Sequence, residues 1–500
     1  MNKIIVVIFL LICNYGFAFV KPNSLFSNNM VLQQGVAVPV WGTANDGEKI
    51  SISFNGQKIS TTAKEGKWML KLKPLKAGGP FTMTITGDNT ITIENVLVGE
   101  VWVCSGQSNM ERQLGLRGSQ KPIVNYMEEA AKAKYPEIRQ YFVAKKAVDS
   151  FVYDANSKWV VCDTASVLNF SAVGYFFARD LYNHLHVPIG MIFTSVGGTP
   201  AENWTTRAAL ESNPELKKLV EDYDKALKAY PEATEKFKVE QYSLLAKWKE
   251  DSLAAAIAKK AIPAKPAPPR NPAGGAGGLY NGMINPLIPY AIKGVIWYQG
   301  ESNGGRAKEY QTLFPTMIKD WRQHWNQGDF PFLFVQIAPF RSANPKLREA
   351  QLLTLQKVPN TAMAVTTDCG DSADIHPPFK QPVGNRLSIA ARALAYNEKI
   401  EYSGPLYKGF EVKDNTITVS FTHVGNGLVA KDGELKGFVI SGDGKKFLPA
   451  TAVIKGNMVI ISSPEISKPA AARYGFEAFP KVNLYNEEGL PASPFRTDVD

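Results

Sequence analysis

Cysteine and histidine are both scarce in this chain: its 500 residues include four cysteines and five histidines. No Cys-x-x-Cys pair occurs, and no group of His and Cys has the spacing of a zinc site. If a leader that contains Cys13 is removed, three cysteines remain, Cys104, Cys162 and Cys369, which leaves room for one disulfide at most. The sequence therefore predicts neither a metal centre nor a disulfide scaffold, and it offers few candidates for a catalytic base.

Basic clusters and long apolar runs are also missing. The formal net charge is +10, but no run of basic residues concentrates it, so a nucleic-acid partner is not predicted. Apart from a short run near the N-terminus, nothing resembles a transmembrane segment. The hydrophobic content of 45% and charged content of 20% are ordinary for a globular protein. The oligomeric state is not determined by the sequence.

The first 18 residues have the pattern of a secretory signal peptide. A lysine and the apolar run over residues 4–12 precede Gly16 and Ala18, the small residues expected at −3 and −1 of a cleavage site after Ala18. Cys13 suggests a lipoprotein alternative, but Ile12 is bulky where a lipoprotein signal has a small residue. We therefore expect residues 1–18 to be cleaved and the protein to be secreted or periplasmic.

The spacing of apolar residues changes twice along the chain and divides it into three parts. Residues 19–97 alternate apolar and polar side chains, as at Ile50, Ile52 and Phe54, and predict a small β-sandwich. Residues 98–400 alternate apolar strands with helical stretches, which predicts a parallel α/β sheet. Residues 401–500 return to β-type alternation and predict a C-terminal β-rich domain.

The middle part is the one that carries candidate chemistry. A segment rich in Lys, Glu and Ala, residues 206–278, interrupts it as a predicted helical insert that ends in Pro-rich and Gly-rich loops. A long insertion of this kind is often a lid or a binding edge. The predicted strands of the sheet are Val101–Cys104, Ile189–Thr194, Val295–Tyr298, Phe332–Ile337 and Thr361–Thr367.

Two serines follow predicted strands, and from the residues alone they are close competitors for a nucleophile. Ser108 follows Val101–Cys104, at the carboxyl end of a strand, where open α/β sheets place their chemistry. As a structural alternative, Ser108 caps the next helix. Ser302 lies in Gly300-Glu-Ser-Asn-Gly304, a literal match to the G-x-S-x-G nucleophile elbow, and it also follows a strand.

Among the histidines, only His376 follows a predicted sheet strand and has acidic neighbours. A serine nucleophile needs such a base, and the base needs an acceptor that orients its ring. Asp374 is the preferred acceptor, because residues i and i+2 of an extended chain lie on the same side. Asp371 is an alternative, and so is a backbone carbonyl, which would make a Ser–His dyad.

Two turns that follow strands supply candidate donors for an oxyanion. The first contains Gly197 and Gly198, whose backbone N–H groups can point at a developing negative charge. The second contains Asn303, whose side-chain amide can do the same. The structural alternative is that these are tight turns that need glycine.

Short sequence blocks spread over nearly the whole chain match one known family, most loosely in the insert. The blocks are Leu25-Phe-Ser-Asn-Asn-Met-Val-Leu-Gln-Gln34, Val38-Pro-Val-Trp-Gly42, Gly99-Glu-Val-Trp102, Cys104-Ser-Gly-Gln-Ser-Asn-Met110, Gly197-Gly-Thr-Pro-Ala-Glu202, Leu279-Tyr-Asn-Gly-Met283, Trp297-Tyr-Gln-Gly-Glu-Ser-Asn303, Asp374-Ile-His-Pro377 and Leu490-Pro-Ala-Ser-Pro-Phe-Arg-Thr497. Together they resemble the sialate O-acetylesterase family of SGNH (GDSL-like) carbohydrate esterases.

The resemblance implies a fold and a set of site residues. The implied fold is an SGNH-hydrolase, flavodoxin-like parallel sheet with helices on both faces, flanked by N-terminal and C-terminal β-sandwich-like regions. The implied nucleophile is Ser108 and the implied base is His376. The oxyanion hole would contain Asn303 and one of Gly197 and Gly198, of which Gly198 is preferred, and Ser302 would be a structural neighbour.

One position departs from the family pattern, and the activity is implied with alternatives. The SGNH pattern has Asp three residues before the His, where this chain has Ala373, and Asp374 lies only two before it. The resemblance implies a serine esterase that removes acetyl groups from sialic acids through an acetyl-enzyme, without metal or cofactor. Its partner would be an acetylated sugar or glycan. Deacetylation of xylan or another plant polysaccharide is an alternative, as is a non-catalytic carbohydrate-binding protein.

Overall fold

The structure, a computed structural model, describes residues 19–272 and 274–498. The predicted signal peptide, residues 1–18, lies outside the described residues. Within the described ranges, no helix combines the length and the apolar character needed to cross a membrane.

The first part of the described chain is built from β-strands. They are β1 (Lys21–Pro22), β2 (Val31–Gln33), β3 (Val38–Thr43), β4 (Lys49–Phe54), β5 (Gln57–Thr62), β6 (Lys67–Leu72), β7 (Gly78–Thr86) and β8 (Thr90–Gly106). One sheet has the order β1-β3-β6, and in the other β4 pairs with β5 and β7 while β7 and β2 pair with β8. The alternation predicted for β4 is confirmed, since Ile50, Ile52 and Phe54 are buried.

After β8 the chain alternates helices and strands. The elements are α1 (Ser108–Glu111), α2 (Tyr126–Lys132), β9 (Tyr135–Phe142), β10 (Trp159–Cys162), α3 (Ala172–Leu185), β11 (Ile189–Ser195), α4 (Arg207–Ser212), α5 (Lys217–Ile257), β12 (Gly294–Tyr298), α6 (Ala307–Trp325), β13 (Phe332–Val335), α7 (Pro345–Lys357), β14 (Thr361–Ala364) and α8 (Gln381–Tyr396). Short 3₁₀ or π turns lie at Ser166–Asn169, Ala201–Trp204, Tyr280–Ile284, Asn285–Leu287 and Glu301–Arg306.

The strand order of the large sheet indicates at which edge a ligand would bind. The order is β10-β9-β11-β8-β12-β13-β14, and only β10 runs antiparallel to its neighbour. Numbered along the chain, β8, β11, β12, β13 and β14 lie in the order 2-1-3-4-5, which is the flavodoxin-like order. Such sheets bind ligands at the carboxyl ends of the strands where the order reverses, here between β8 and β12.

Helices cover both faces of this sheet. Alternate side chains of β12 show the two sides: Ile296 packs in the cluster of α3 and α8, and Trp297 packs in that of α6 and α7. At Gly384 of α8 a Cβ would lie 2.6 Å from the Phe176 Cβ of α3, so only glycine allows these helices to approach so closely. The predicted α/β class is therefore confirmed, with a mixed rather than purely parallel large sheet.

One detail differs from the sequence prediction. The strands predicted at Phe332–Ile337 and Thr361–Thr367 end earlier, at Val335 and Ala364, because the chain turns at the sheet edge and hydrogen bonds from Gln336 and Thr366 tie these turns together. The insert contains α4 and the 41-residue α5, and of the α5 side chains only Val220 is buried.

The last part of the described chain is again built from strands. They are β15 (Leu406–Lys413), β16 (Thr416–Thr422), β17 (Leu428–Ala430), β18 (Phe438–Ser441), β19 (Leu448–Pro449), β20 (Thr451–Lys455), β21 (Met458–Ser462), β22 (Ala471–Tyr474), β23 (Leu484–Asn486) and β24 (Phe495–Arg496). They form sheets β15-β16-β21-β20, β17-β23 and β19-β18-β22-β24. Arg348 of α7 donates hydrogen bonds of 2.7 Å to the carbonyls of Glu477 and Ala478 and so anchors this part to the α/β part.

Candidate active site

The candidate residues lie after four strands of the large sheet. Ser108 is the first residue of α1, directly after β8, and Gly197 and Gly198 follow β11. Asn303 lies in the turn after β12, and His376 lies in the loop after β14. Because β11, β8 and β12 are parallel neighbours, their carboxyl ends meet at one edge. The site therefore lies at the reversal of strand order between β8 and β12.

At this edge Ser108 and His376 contact each other. The Ser108 Oγ lies 2.9 Å from the His376 Nε2, which is hydrogen-bond distance for a nucleophile and its base. Asp374 lies beside the same imidazole: its Oδ1 accepts the backbone N–H of His376 at 2.8 Å and lies 3.7 Å from the ring Nδ1. That second distance allows charge attraction but is longer than a hydrogen bond.

The structure does not bring the competing residues to this imidazole. The backbone N–H of Ser302 donates to the Gln107 Oε1 at 3.3 Å, while the His376 Nε2 is paired with Ser108. The Asp371 carboxylate forms an ion pair with Lys121 instead.

Gly197 and Gly198 have different roles in their turn. The Gly197 N–H donates to the Glu111 Oε2 at 2.5 Å, and a Cβ on Gly197 would lie 2.9 Å from that oxygen and 3.2 Å from the Ser108 Cβ. Gly198 has a φ of +73°, which favours glycine, and its N–H has no acceptor among the described residues. Of the two N–H groups, that of Gly198 is the one available to a ligand.

The Asn303 side chain is buried and held in one orientation. Its Oδ1 accepts hydrogen bonds from the Ala201 N–H at 2.9 Å and the Gln299 Nε2 at 2.7 Å. Its Nδ2 donates to the Glu202 Oε2 at 3.0 Å, and Glu202 in turn pairs with Arg306. An amide nitrogen carries two hydrogens, and the second one has no acceptor among the described residues.

The charges around His376 favour its neutral form. Burial lowers the pKa of His376, and the nearby cations of Lys380, Arg117 and Arg112 lower it further, whereas the Asp374 carboxylate opposes them. An imidazole with a lowered pKa is unprotonated at neutral pH, which is the form that accepts a proton from a serine.

Sequence reasoning missed three polar residues near the serine. Glu301 and Asn109 lie inside the sequence blocks that contain Asn303 and Ser108, and this location could have identified them as site residues. Lys380 carries no sequence signal: it is an isolated lysine four residues after His376, and only the folded chain shows that it is buried.

A cleft of about 710 Å³ opens beside the glycine turn. Val196 and Thr199, which flank Gly197 and Gly198, form part of its wall. The insert also lines this cleft, through α5 and the segment that returns from it. The lining includes apolar, aromatic and charged groups, notably Leu219, Tyr223, Arg270, Glu202 and Arg306.

The described residues contain no group of three or more His, Cys, Asp or Glu that could hold a metal ion. The three cysteines in the described ranges, Cys104, Cys162 and Cys369, are buried and unpaired.

Comparison with known proteins agrees with this architecture. Residues 98–243 and 272–390 match the family model described as carbohydrate esterase, sialic acid-specific acetylesterase. The sialate O-acetylesterase of Rattus norvegicus is 30% identical over 97% of this chain and 95% of its own length, and that of Homo sapiens is 30% identical over 96% and 92%. The crystal structure of a carbohydrate acetylesterase from Xanthomonas citri matches with a TM-score of 0.80 and 33% identity, over 96% of this chain and 100% of that one.

The fold, the site and these comparisons together define the class: the protein is an ester hydrolase of the carbohydrate esterase type. The chain belongs to the sialic acid-specific acetylesterase family, which confirms the resemblance seen in its sequence blocks.

Proposed function

We propose that this protein is a serine O-acetylesterase of SGNH type that hydrolyses acetyl esters on sialic acids. The observation that carries the proposal is the 2.9 Å contact between the Ser108 Oγ and the His376 Nε2, at the reversal of strand order, in a chain of this family. Curated relatives that match nearly the whole chain are named sialate O-acetylesterases, which supports the choice of sugar.

The proposed reaction has two halves that share one base. His376 takes the proton from Ser108 as the Oγ attacks the acetyl carbonyl, and then gives it to the departing sugar oxygen. Water, activated by the same imidazole, attacks the acetyl-enzyme and releases acetate. Asp374 holds the imidazole in position and stabilises its charged form. The chemistry uses side chains of this chain alone.

We assign the oxyanion to two donors. The Gly198 N–H and the free hydrogen of the Asn303 Nδ2 would bind the carbonyl oxygen as its charge develops. Both are held in place before substrate arrives, Gly198 by the positive-φ turn and Asn303 by its contacts to Gln299, Ala201 and Glu202. Donors that need no rearrangement act most strongly on the transition state.

Asn303→Ala is therefore expected to lower kcat by about 10²–10³, with a smaller change in KM, because the contact strengthens as charge develops. Steady-state kinetics on an acetyl ester measures this. Ser302→Ala, in the same turn, is the control and should keep most of its activity. An Asn303→Ala enzyme with unchanged kcat would remove Asn303 from the oxyanion hole.

The lowered pKa of His376 predicts where activity is lost in acid. The base must be neutral to accept a proton, and a pKa below the ordinary value of 6.5 keeps it neutral as the pH falls through 6.5. The acidic midpoint of kcat/KM is therefore expected below pH 6.5, because kcat/KM reports the free enzyme. A pH profile on a neutral acetyl ester measures it, and a midpoint at or above 6.5 would contradict the prediction.

The sugar is proposed to bind in the cleft beside Gly198. Its mixture of apolar and charged walls is typical of sites that hold a polar small molecule by a few directed contacts. Acetate release from O-acetylated sialosides and from acetylated xylo-oligosaccharides tests the substrate, with Ser108→Ala as the blank. We expect faster release from the sialosides. Preference for the xylo-oligosaccharides would assign the enzyme to plant polysaccharide, and no serine-dependent release from either would overturn the proposed function. Secretion is likewise a proposal, supported by the pattern of residues 1–18.

A further inference from the structure

The residue after the proposed nucleophile, Asn109, has a buried side chain with three polar contacts. Its Oδ1 accepts a hydrogen bond of 2.5 Å from the Lys380 Nζ. Its Nδ2 donates to the Glu301 Oε1 at 2.6 Å and to the Ile375 carbonyl at 3.0 Å. An ammonium can only donate and a carboxylate or carbonyl only accepts, so these partners define the orientation of the amide. Both amide hydrogens are used.

Lys380 is unusual because its whole side chain is inside the protein. It is 1% exposed, its Nζ lies 5.3 Å from the centre of the Tyr298 ring, and Asn109 is its hydrogen-bond acceptor. A lysine normally keeps its charged end in water, and burying it costs free energy that an apolar residue of similar size would not cost. Placement directly behind a serine–histidine pair therefore points to a role at that pair.

Glu301 provides the opposite charge on the other side of the amide. Its Oε1 accepts from Asn109, while its Oε2 is shielded from solvent and has no partner among the described residues. Lys380, Asn109 and Glu301 thus form a buried chain of cation, amide and anion. A half-satisfied buried carboxylate is costly, so this chain is not explained as a simple stabilising contact.

The chain of three residues connects three of the four segments that build the site. Asn109 follows Ser108 after β8, Glu301 lies in the turn after β12, and Lys380 lies beyond His376 after β14. The hydrogen bond from Asn109 to the Ile375 carbonyl holds the peptide unit that leads into His376. Ser108 and His376, each adjacent to one end of this bond, are thereby held at their contact distance.

We propose that Lys380, Asn109 and Glu301 are positioning residues that hold His376 against Ser108, and that the buried Lys380 ammonium acts on the imidazole as the cation of this group. The inference rests on the proposed function, because it assigns His376 as the base. None of the three is proposed to touch the substrate. Their effect should therefore fall on kcat and on the pH dependence rather than on KM.

The charge state of Lys380 supports this role in the pH range where His376 titrates. Burial lowers the pKa of Lys380 to about 7, although Glu301 opposes that shift, so below pH 6.5 the amine is protonated. Its positive charge therefore acts on His376 throughout the acidic limb of activity. The titratable groups that face His376 and Lys380 are Glu301, Tyr298, Cys369, Asp374, Arg112 and Arg117.

Two variants of Lys380 separate its hydrogen bond from its charge. Lys380→Gln keeps a donor that can reach the Asn109 Oδ1 but has no charge, and Lys380→Met has neither. Both are expected to move the acidic limb of kcat/KM to higher pH. We compare kcat/KM, as a fraction of its plateau value, one pH unit below the wild-type midpoint. This fraction should be about 3- to 10-fold smaller in each variant than in wild type. Plateau kcat should fall further in Lys380→Met, with KM unchanged in both.

The matched control is Lys121→Met, the same change at an exposed lysine that pairs with Asp371 in the His376 loop. Its acidic limb should coincide with that of wild type. Asn109→Ala tests positioning independently and should lower kcat about 10²-fold, because small displacements of reacting groups cost this much. Thermal unfolding of each variant shows whether it is folded.

The outcomes distinguish this inference from the proposed function. Folded Lys380 variants whose acidic limbs coincide with those of wild type and Lys121→Met would overturn the electrostatic role. An Asn109→Ala enzyme with wild-type kcat would overturn the positioning role. If Lys380→Met does not fold, the acidic limb of Lys380→Gln alone tests the electrostatic role. A wild-type enzyme without serine-dependent esterase activity would instead contradict the proposed function.

Discussion

Replacing Ser108 with alanine is expected to abolish turnover, with kcat about 10⁶-fold lower than in the wild-type enzyme. The Ser108 Oγ is in contact with the His376 Nε2, and without it no acetyl-enzyme forms. Substrate binding should survive, because the cleft and the oxyanion donors lie on other residues. Acetate release measures the loss, and binding of an acetylated sugar to the inactive variant shows that the site is otherwise intact.

Ser302→Ala is the matched control for this experiment. Ser302 follows the neighbouring strand and fits the nucleophile-elbow motif, but its hydrogen bond to the site is made by the backbone N–H, which donates to Gln107. The variant should stay folded and active. An organophosphate probe followed by mass spectrometry should label Ser108, and an adduct on Ser302 would refute the assignment.

Asp374→Asn is expected to lower kcat by up to about 10⁴, because an amide in place of the acceptor traps the wrong imidazole tautomer. Asp374 approaches both the backbone N–H of His376 and its Nδ1, the latter at 3.7 Å. Hydrogen bonds of this kind are often long in the absence of substrate and shorten in the complex. Steady-state kinetics at the pH of the plateau measures the effect.

Asp371→Asn is the control, since Asp371 pairs with Lys121 at the surface and should affect activity much less. If Asp374→Asn keeps activity within about tenfold of wild type, the triad is rejected. A Ser–His dyad, oriented by a backbone carbonyl, would then be the mechanism.

The alternation of apolar residues was enough to predict the α/β core and the flanking β-rich parts. A strand buried on both faces must be a continuous apolar run, and a half-buried strand must alternate, so the pattern reports the environment directly. The strand ends were less accurate, because turns at the sheet edge depend on contacts such as that of Thr366 with the Gln336 carbonyl.

Ser108 and His376, which contact each other, are 268 positions apart in the sequence. Local sequence patterns do not show such a contact, so the pairing was a hypothesis until the structure showed it. Periodicity could place both at carboxyl ends of strands but could not choose between Ser108 and Ser302. That choice depends on the folded loops: the loop after β14 places the His376 Nε2 at the Ser108 Oγ, whereas Ser302 donates its backbone N–H to Gln107.

By itself the sequence determined the class of the fold, the family and the set of candidate side chains, because these follow from local spacing and from short sequence blocks that match the family. Only the tertiary structure decided which serine contacts the histidine and which glycine N–H is free. It also decided that Lys380 is buried behind Asn109. The physical reason is that distances, burial and pKa values depend on groups far apart in the chain, which only the folded sheet brings together.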